Sequence, residues 1–175
     1  MKQSKLLAFL IACVFFVVSG CASQANSSNS SWLKADASTK TVMIQLIAGY
    51  NDANDYDNFN GYANGQMVIT IPEGYHVNMQ FSNQGGIPAG VGVYDSQNRL
   101  AFQGAGDSIQ DILGNPTPGV MPGDTQTYKF VADKPGTYRI ANLINRFPQF
   151  RSTQQDIGMW VALKVVQNGE PGISF

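Results

Sequence analysis

The sequence predicts an all-β domain, a two-sheet sandwich with Greek-key connections, behind an N-terminal leader and a flexible tether. Short runs rich in branched and aromatic residues recur from Thr41 to Val166, divided by clusters of Gly, Pro, Asn and Asp. The clearest run, GYHVNMQFSN (74–83), alternates with period two: Tyr75, Val77, Met79 and Phe81 share one face, His76, Asn78 and Gln80 the other. No amphipathic stretch is long enough for a core helix.

The chain opens MKQSKLLAFLIACVFFVVSGC. Lys2 and Lys5 precede an apolar run from Leu6 to Val18, and small residues stand before Cys21. That run is shorter than the ~20 residues that cross a bilayer, so residues 1–20 read as a cleaved secretion signal. The pattern resembles bacterial lipoprotein signals. The resemblance implies that Cys21 carries diacylglycerol and becomes the new N-terminus. An extracytoplasmic protein held by lipid to the cell membrane follows, or to an outer membrane if the host has one. Cys13 lies in the leader, so the mature domain has no thiol and no internal disulfide.

Residues 21–40 are dominated by Ser, Asn and Ala and are expected to be a tether, with Trp32 and Leu33 loosely placed. The chain carries 11 Lys+Arg and 12 Asp+Glu; loss of Lys2 and Lys5 with the leader leaves 9 against 12, a net of -3. No basic patch points to nucleic acid.

Strands are expected at 41–50, where TVMIQLIAGY is rich in branched residues, and at 66–72, where Pro72 stops an alternating run. After 74–83 come 90–95 and 99–104, flanking a Ser-Gln-Asn turn, then 126–132, 136–143 and 157–166. SIQDILG (108–114) is expected to form one short helical turn. The sandwich is therefore placed at 41–168, with 169–175 as a C-terminal tail. Seven or eight such strands most often make a two-sheet sandwich.

Two stretches carry a family resemblance. NFNGYANGQMVITIPEGYHVNMQFSN (58–83) has an Asn-Phe-Asn-Gly turn, an apolar strand, Ile-Pro-x-Gly-aromatic and a second strand ending in Asn. YRIAN (138–142) and GMW (158–160) look like strands entering and leaving a metal loop. Together they resemble the sulfocyanin-type cupredoxins, which implies a cupredoxin-like sandwich and a blue-copper electron carrier.

Three of the four ligands that the resemblance implies are missing. The Pro-His pair is matched by Pro88 and Ala89, the cysteine by Asn142, and the loop histidine by nothing in 143–157, where Gln149 and Phe150 stand nearest; Met159 alone survives. A blue-copper centre needs one thiolate and two imidazoles, and a thioether is its weakest ligand. The single histidine, His76, is expected on the solvent face of its strand and is rejected as a replacement.

Asp52, Asp55 and Asp57 lie close together, but their spacing does not match a helix-loop-helix calcium loop, so a solvated acidic turn is expected. Without a mature cysteine a Cys-His pair is impossible, and a Ser-His-Asp triad is implausible because the single histidine, His76, has no nearby acid-base companion in sequence, so no enzyme is expected. Trp160 is expected in the core. Arg146, Phe147, Phe150 and Arg151, with Tyr62 and Arg139 as further members, form the candidate interaction face on the long loop from Asn142 to Ile157, with the loop 84–90 beside it. The reading is a lipid-anchored, metal-free binding module for an envelope protein or small ligand. Its alternative is a copper protein of the sulfocyanin type with a non-standard ligand set such as Met159 and Asn142.

Overall fold

The computed structural model describes residues 31–106, 119–147 and 152–175, of which 145–147 by their backbone alone. Cys21, the leader and the expected helical turn at 108–114 lie outside them. Eleven strands are present among the described residues: β1 (Leu33–Asp36), β2 (Thr41–Ala48), β3 (Val68–Pro72), β4 (Tyr75–Asn83), β5 (Gly92–Tyr94), β6 (Thr125–Ala132), β7 (Gly136–Ala141), β8 (Asn145–Phe147), β9 (Ser152–Thr153), β10 (Trp160–Val166) and β11 (Gly172–Ser174).

They form a four-stranded sheet, β1-β2-β4-β6, a five-stranded sheet, β11-β3-β10-β7-β5, and a small hairpin, β8-β9. From β2 to β7 the chain changes sheet at every step. The crossovers leave β2 parallel to β4 and β3 parallel to β10, while the other pairs are antiparallel. The expected two-sheet, all-β architecture is the one observed.

Alternation explains the core. Val42, Ile44 and Leu46 of β2, Tyr75, Val77, Met79 and Phe81 of β4, and Tyr128 and Phe130 of β6 meet Ile69, Ile71, Ile140, Val161, Leu163 and Val165 from the other sheet. Each turns its apolar set inward because a strand's side chains alternate sides. His76 is exposed, as expected. Among the described residues no helix is long and apolar enough to cross a membrane.

Four expectations need correction. The tether does not extend to residue 40: Leu33–Asp36 pairs with β2, and Trp32 and Leu33 pack against the core. The tail is not free of structure, because Gly172–Ser174 pairs with β3 and Ile173 is buried. Residues 99–104 make no strand beyond a bridge between Tyr94 and Leu100, since Asn98 turns the chain tightly at φ 58. Trp160 is half-buried over a small satellite cluster of Tyr94, Ala141 and Leu143.

The Asn-Phe-Asn-Gly turn is a backbone clamp. Asn60 accepts from Ile47 N at 2.7 Å and donates to Gln45 O at 3.0 Å, tying the turn to β2. Asn58, fully buried, donates to Asn51 O and Ala53 O and accepts from Tyr50 N and Gly61 N. These bonds satisfy loop amides that a strand partner would otherwise cover.

Candidate functional site

The ends of β2, β4 and β7 and the start of β10 meet at one end of the sandwich. There Asn142 follows β7, and its side chain is completely buried. Its Oδ1 accepts from Gly90 N at 3.1 Å and from Ile144 N at 3.0 Å. Its Nδ2 donates to Gln154 Oε1 and to Met159 Sδ, the latter at 3.3 Å. Backbone bonds from Asn142 N to Met159 O and from Gln155 N to Asn142 O lock the same point. One amide thus fastens the loop before β5, the end of β7, the long loop and the start of β10.

The structure therefore brings Asn142 and Met159 into contact and sets Ala89 beside them, next to Gly90 in the same loop. Gln154 is the residue that sequence reasoning missed. It is 2 % exposed; Gln149 and Phe150, the nearest to the missing loop histidine by position, lie outside the described residues. The only hint in the sequence was its distance of five residues from Met159 on the return of the loop.

A pocket of about 380 Å³ opens beside this cluster. Ala89, Gln154 and Met159 share its lining with Ala48, Asp55, Tyr56, Asp57 and Ile87. Asn83 shapes one wall: it donates to Ile87 O and Val120 O, both at 2.8 Å, and accepts from Gly85 N at 2.9 Å. Gly49, at φ +66, forms the adjoining wall, where an added Cβ would lie 2.6 Å from the Gly85 backbone. On the opposite side Asn54, Asp55 and Tyr56 all have positive φ, held by bonds from Asn54 Nδ2 to Asp57 O and Ile157 O.

The acidic turn is only partly solvated. Asp52 and Asp55 are exposed, but Asp57 is buried at 5 % exposure. Among the described residues no group of three His, Cys, Asp or Glu side chains is arranged to hold a metal ion.

The remaining members of the expected interaction face divide. Arg146 and Phe147 lie in β8, and Phe150 and Arg151 lie outside the described residues. Arg139 instead bonds Asn98 at 3.0 Å, and Tyr62 stacks on Phe175 at 4.5 Å, so neither is free to serve a loop surface there.

The sulfocyanin (SoxE) domain profile matches residues 28–170. The chain belongs to this family. No curated protein matches it. Among solved structures it is similar to a multicopper oxidase from Pseudomonas thermotolerans, at TM-score 0.51 and 17% identity over 78% of this chain and 31% of that one. It is also similar to a multicopper oxidase from Campylobacter jejuni described as a metallo-oxidase, at 0.50 and 14% over 77% and 28%. Auracyanin from the photosynthetic bacterium Roseiflexus castenholzii gives 0.46 and 15% over 76% and 99%. At such identities the likeness to the two oxidases speaks for the fold alone, and the chain spans about a third of their length.

Sulfocyanin-type cupredoxins imply a copper ion at this end, and the side chains gathered here do not fit one. Two neutral amides and a thioether replace the thiolate and imidazoles that grip the ion. The Met159 sulfur is already an acceptor for Asn142, and the Asn142 oxygen is occupied by two backbone N–H groups.

Proposed function

We propose that this sulfocyanin-family domain is copper-free and acts as a binding module of the cell envelope, neither an electron carrier nor an enzyme. The observation that carries the reading is the saturated side chain of Asn142: both acceptor directions and both donor directions are used inside the protein. A metal would have to break this network and would gain only weak donors in return.

The binding surface is the pocket end, flanked by the loop from Asn142 to Ile157 that carries Arg146, Phe147, Phe150 and Arg151. Loops on a rigid sandwich are where recognition commonly sits. The partner is an envelope protein or a small ligand, and the domain reaches it from a lipid anchor at Cys21 on the extracytoplasmic side. Radiolabelled fatty acid should enter the wild type and not Cys21→Ala; equal labelling of both would refute the anchor.

Calorimetric titration with cupric and cuprous ions tests the central reading. The wild type should show no saturable binding in the micromolar range or tighter. Ala89→His, Asn142→Cys and Gln154→His made together should restore copper uptake and an intense blue colour, because they return a thiolate and two imidazoles beside Met159. Tight stoichiometric copper in the unaltered protein would defeat the proposal.

A further inference from the structure

Four aromatic rings crowd the side of the sandwich where the chain enters it. Trp32, just before β1, meets Tyr50, Tyr62 and Phe175 edge-on, at centroid distances of 5.7, 6.4 and 6.4 Å, and Tyr62 stacks on Phe175. β1 and β11 are end strands of the two sheets, so the cluster stands across the open side between them. Closing that side explains the buried half of the rings, since Trp32 and Tyr62 pack against the core. It does not explain the outward half. Phe175 is 58 % exposed and Tyr50 46 %, and Met43, 49 % exposed, continues the patch along a groove that Trp32 also lines. Contiguous exposed apolar surface of this kind marks an interaction site.

The place of the patch on the chain selects what covers it. Ser31, the first residue described, comes ten positions after Cys21, and ten residues reach at most about 36 Å when fully extended. A domain of this length measures roughly 40 Å across. A lipid on Cys21 therefore keeps Trp32 within about one domain diameter of the bilayer. A tether this short presents the surface at an effective concentration on the order of millimolar, so weak contacts suffice. Indole and phenol rings, apolar at one end and wet at the other, settle at the level of lipid headgroups. Charge selects no particular lipid: Lys34 lines the groove beside Trp32, while Asp52 stands exposed two residues after Tyr50. The rings supply the attraction, and a second copy or a protein partner has no such enforced proximity.

We infer that the cluster of Trp32, Tyr50, Tyr62 and Phe175 seats on the extracytoplasmic surface of a phospholipid bilayer, at the depth of the headgroups, and so fixes which side of the domain faces the membrane. The inference rests on the lipid anchor at Cys21 proposed above. It goes beyond that anchor by making the domain an oriented body rather than one swinging on its tether. The same seating turns the free edges of β1 and β11 away from neighbouring proteins, with which unpaired strand edges are prone to associate.

The test uses the chain's two tryptophans, Trp32 and Trp160, the latter lying over the separate cluster of Tyr94, Ala141 and Leu143. The full protein, as isolated from the cells that make it, is reconstituted in vesicles of phosphatidylcholine, either plain or brominated near the top of the acyl chains. Trp160→Phe, which reports Trp32 alone, should emit at least twofold more weakly in the brominated vesicles. Vesicles should also shield it from acrylamide, a quencher confined to water. Trp32→Phe, which reports Trp160 alone, should lose less than half as much emission. Wild type carries both signals and should dim as well, by an amount that Tyr50→Ala, on an exposed side chain, reduces. Equal Trp32 emission in the two kinds of vesicle overturns the inference. Acrylamide shielding without dimming by bromine points to a protein partner or a second copy and overturns it too. Flotation of the vesicles reads the anchor separately. Protein left in the soluble fraction refutes the lipid on Cys21 and the inference with it, whereas protein that floats without dimming refutes the inference alone.

Discussion

Asn142 concentrates the chemistry of the site in one side chain. Asn142→Ala would strand the Gly90 and Ile144 N–H groups and the Gln154 oxygen in the interior. With a buried unpaired group costing about 1–3 kcal/mol, a loss of roughly 2–5 kcal/mol is expected, read as a lower urea midpoint. A loss below about 1 kcal/mol would show that the network does not hold these loops together. Its neighbour Gln155 predicts the opposite sign. Its Oε1 is buried and has no hydrogen bond among the described residues, so Gln155→Met, similar in shape and without that oxygen, should be neutral or stabilising by about 1 kcal/mol in the same assay. At this scale Ala89, Asn142 and Met159 were legible because flanking motifs fixed their places. Gln154 was not: no periodicity marks a residue on the return of an irregular loop, and its role depends on the orientation of an amide twelve positions away.

At the level of strands, legibility followed burial. β2, β4, β6 and β10 bury one face each and so carry the alternation that identifies them. β1 and β11 escaped because they are short edge strands: Leu33–Asp36 is mostly exposed, and Gly172–Ser174 buries only Ile173. Edge strands need polar, broken sequences to resist pairing with other chains, which erases the signal that would reveal them. The run 99–104 misled in the other direction, since Phe102 packs in the core from a turn rather than from a strand. The start of β10 supplies an element-scale prediction. Gly65 sits at φ +73 beneath the Trp160 ring, 2.5 Å from where a Cβ would be. Gly65→Ala should cost about 2–4 kcal/mol through backbone strain and displacement of Trp160, seen as reduced stability with a shifted tryptophan emission. Unchanged emission and stability would mean that this packing is dispensable.

Over the whole molecule, the core without disulfides must supply stability, and charge modulates it at the extremes of pH. Asp95 is held below the ordinary carboxylate value chiefly by the Arg99 backbone N–H and then by its side chain, and Asp36 chiefly by the Ser38 hydroxyl. Folded carboxyls with lowered pKa contribute stability that is complete above the unfolded value of 3.8 and is lost as pH falls through the folded one. Tyr138 is raised from 10.0, first by burial and then by Asp133 and Asp95, so its contribution is complete below that value and is lost as pH climbs through the raised one. Urea unfolding should therefore show a stability gap between wild type and Asp95→Asn that closes below about pH 4; a gap independent of pH would remove Asp95 from the account. On the copper-free reading proposed above, the fold, a sulfocyanin-family sandwich, outlasts the chemistry with which that family is associated, because packing depends on alternating apolar residues while the metal depends on three particular side chains. Metal analysis of the protein isolated from its own host tests this most directly. Far less than one copper per chain is the predicted result, and one tightly held copper per chain would contradict it.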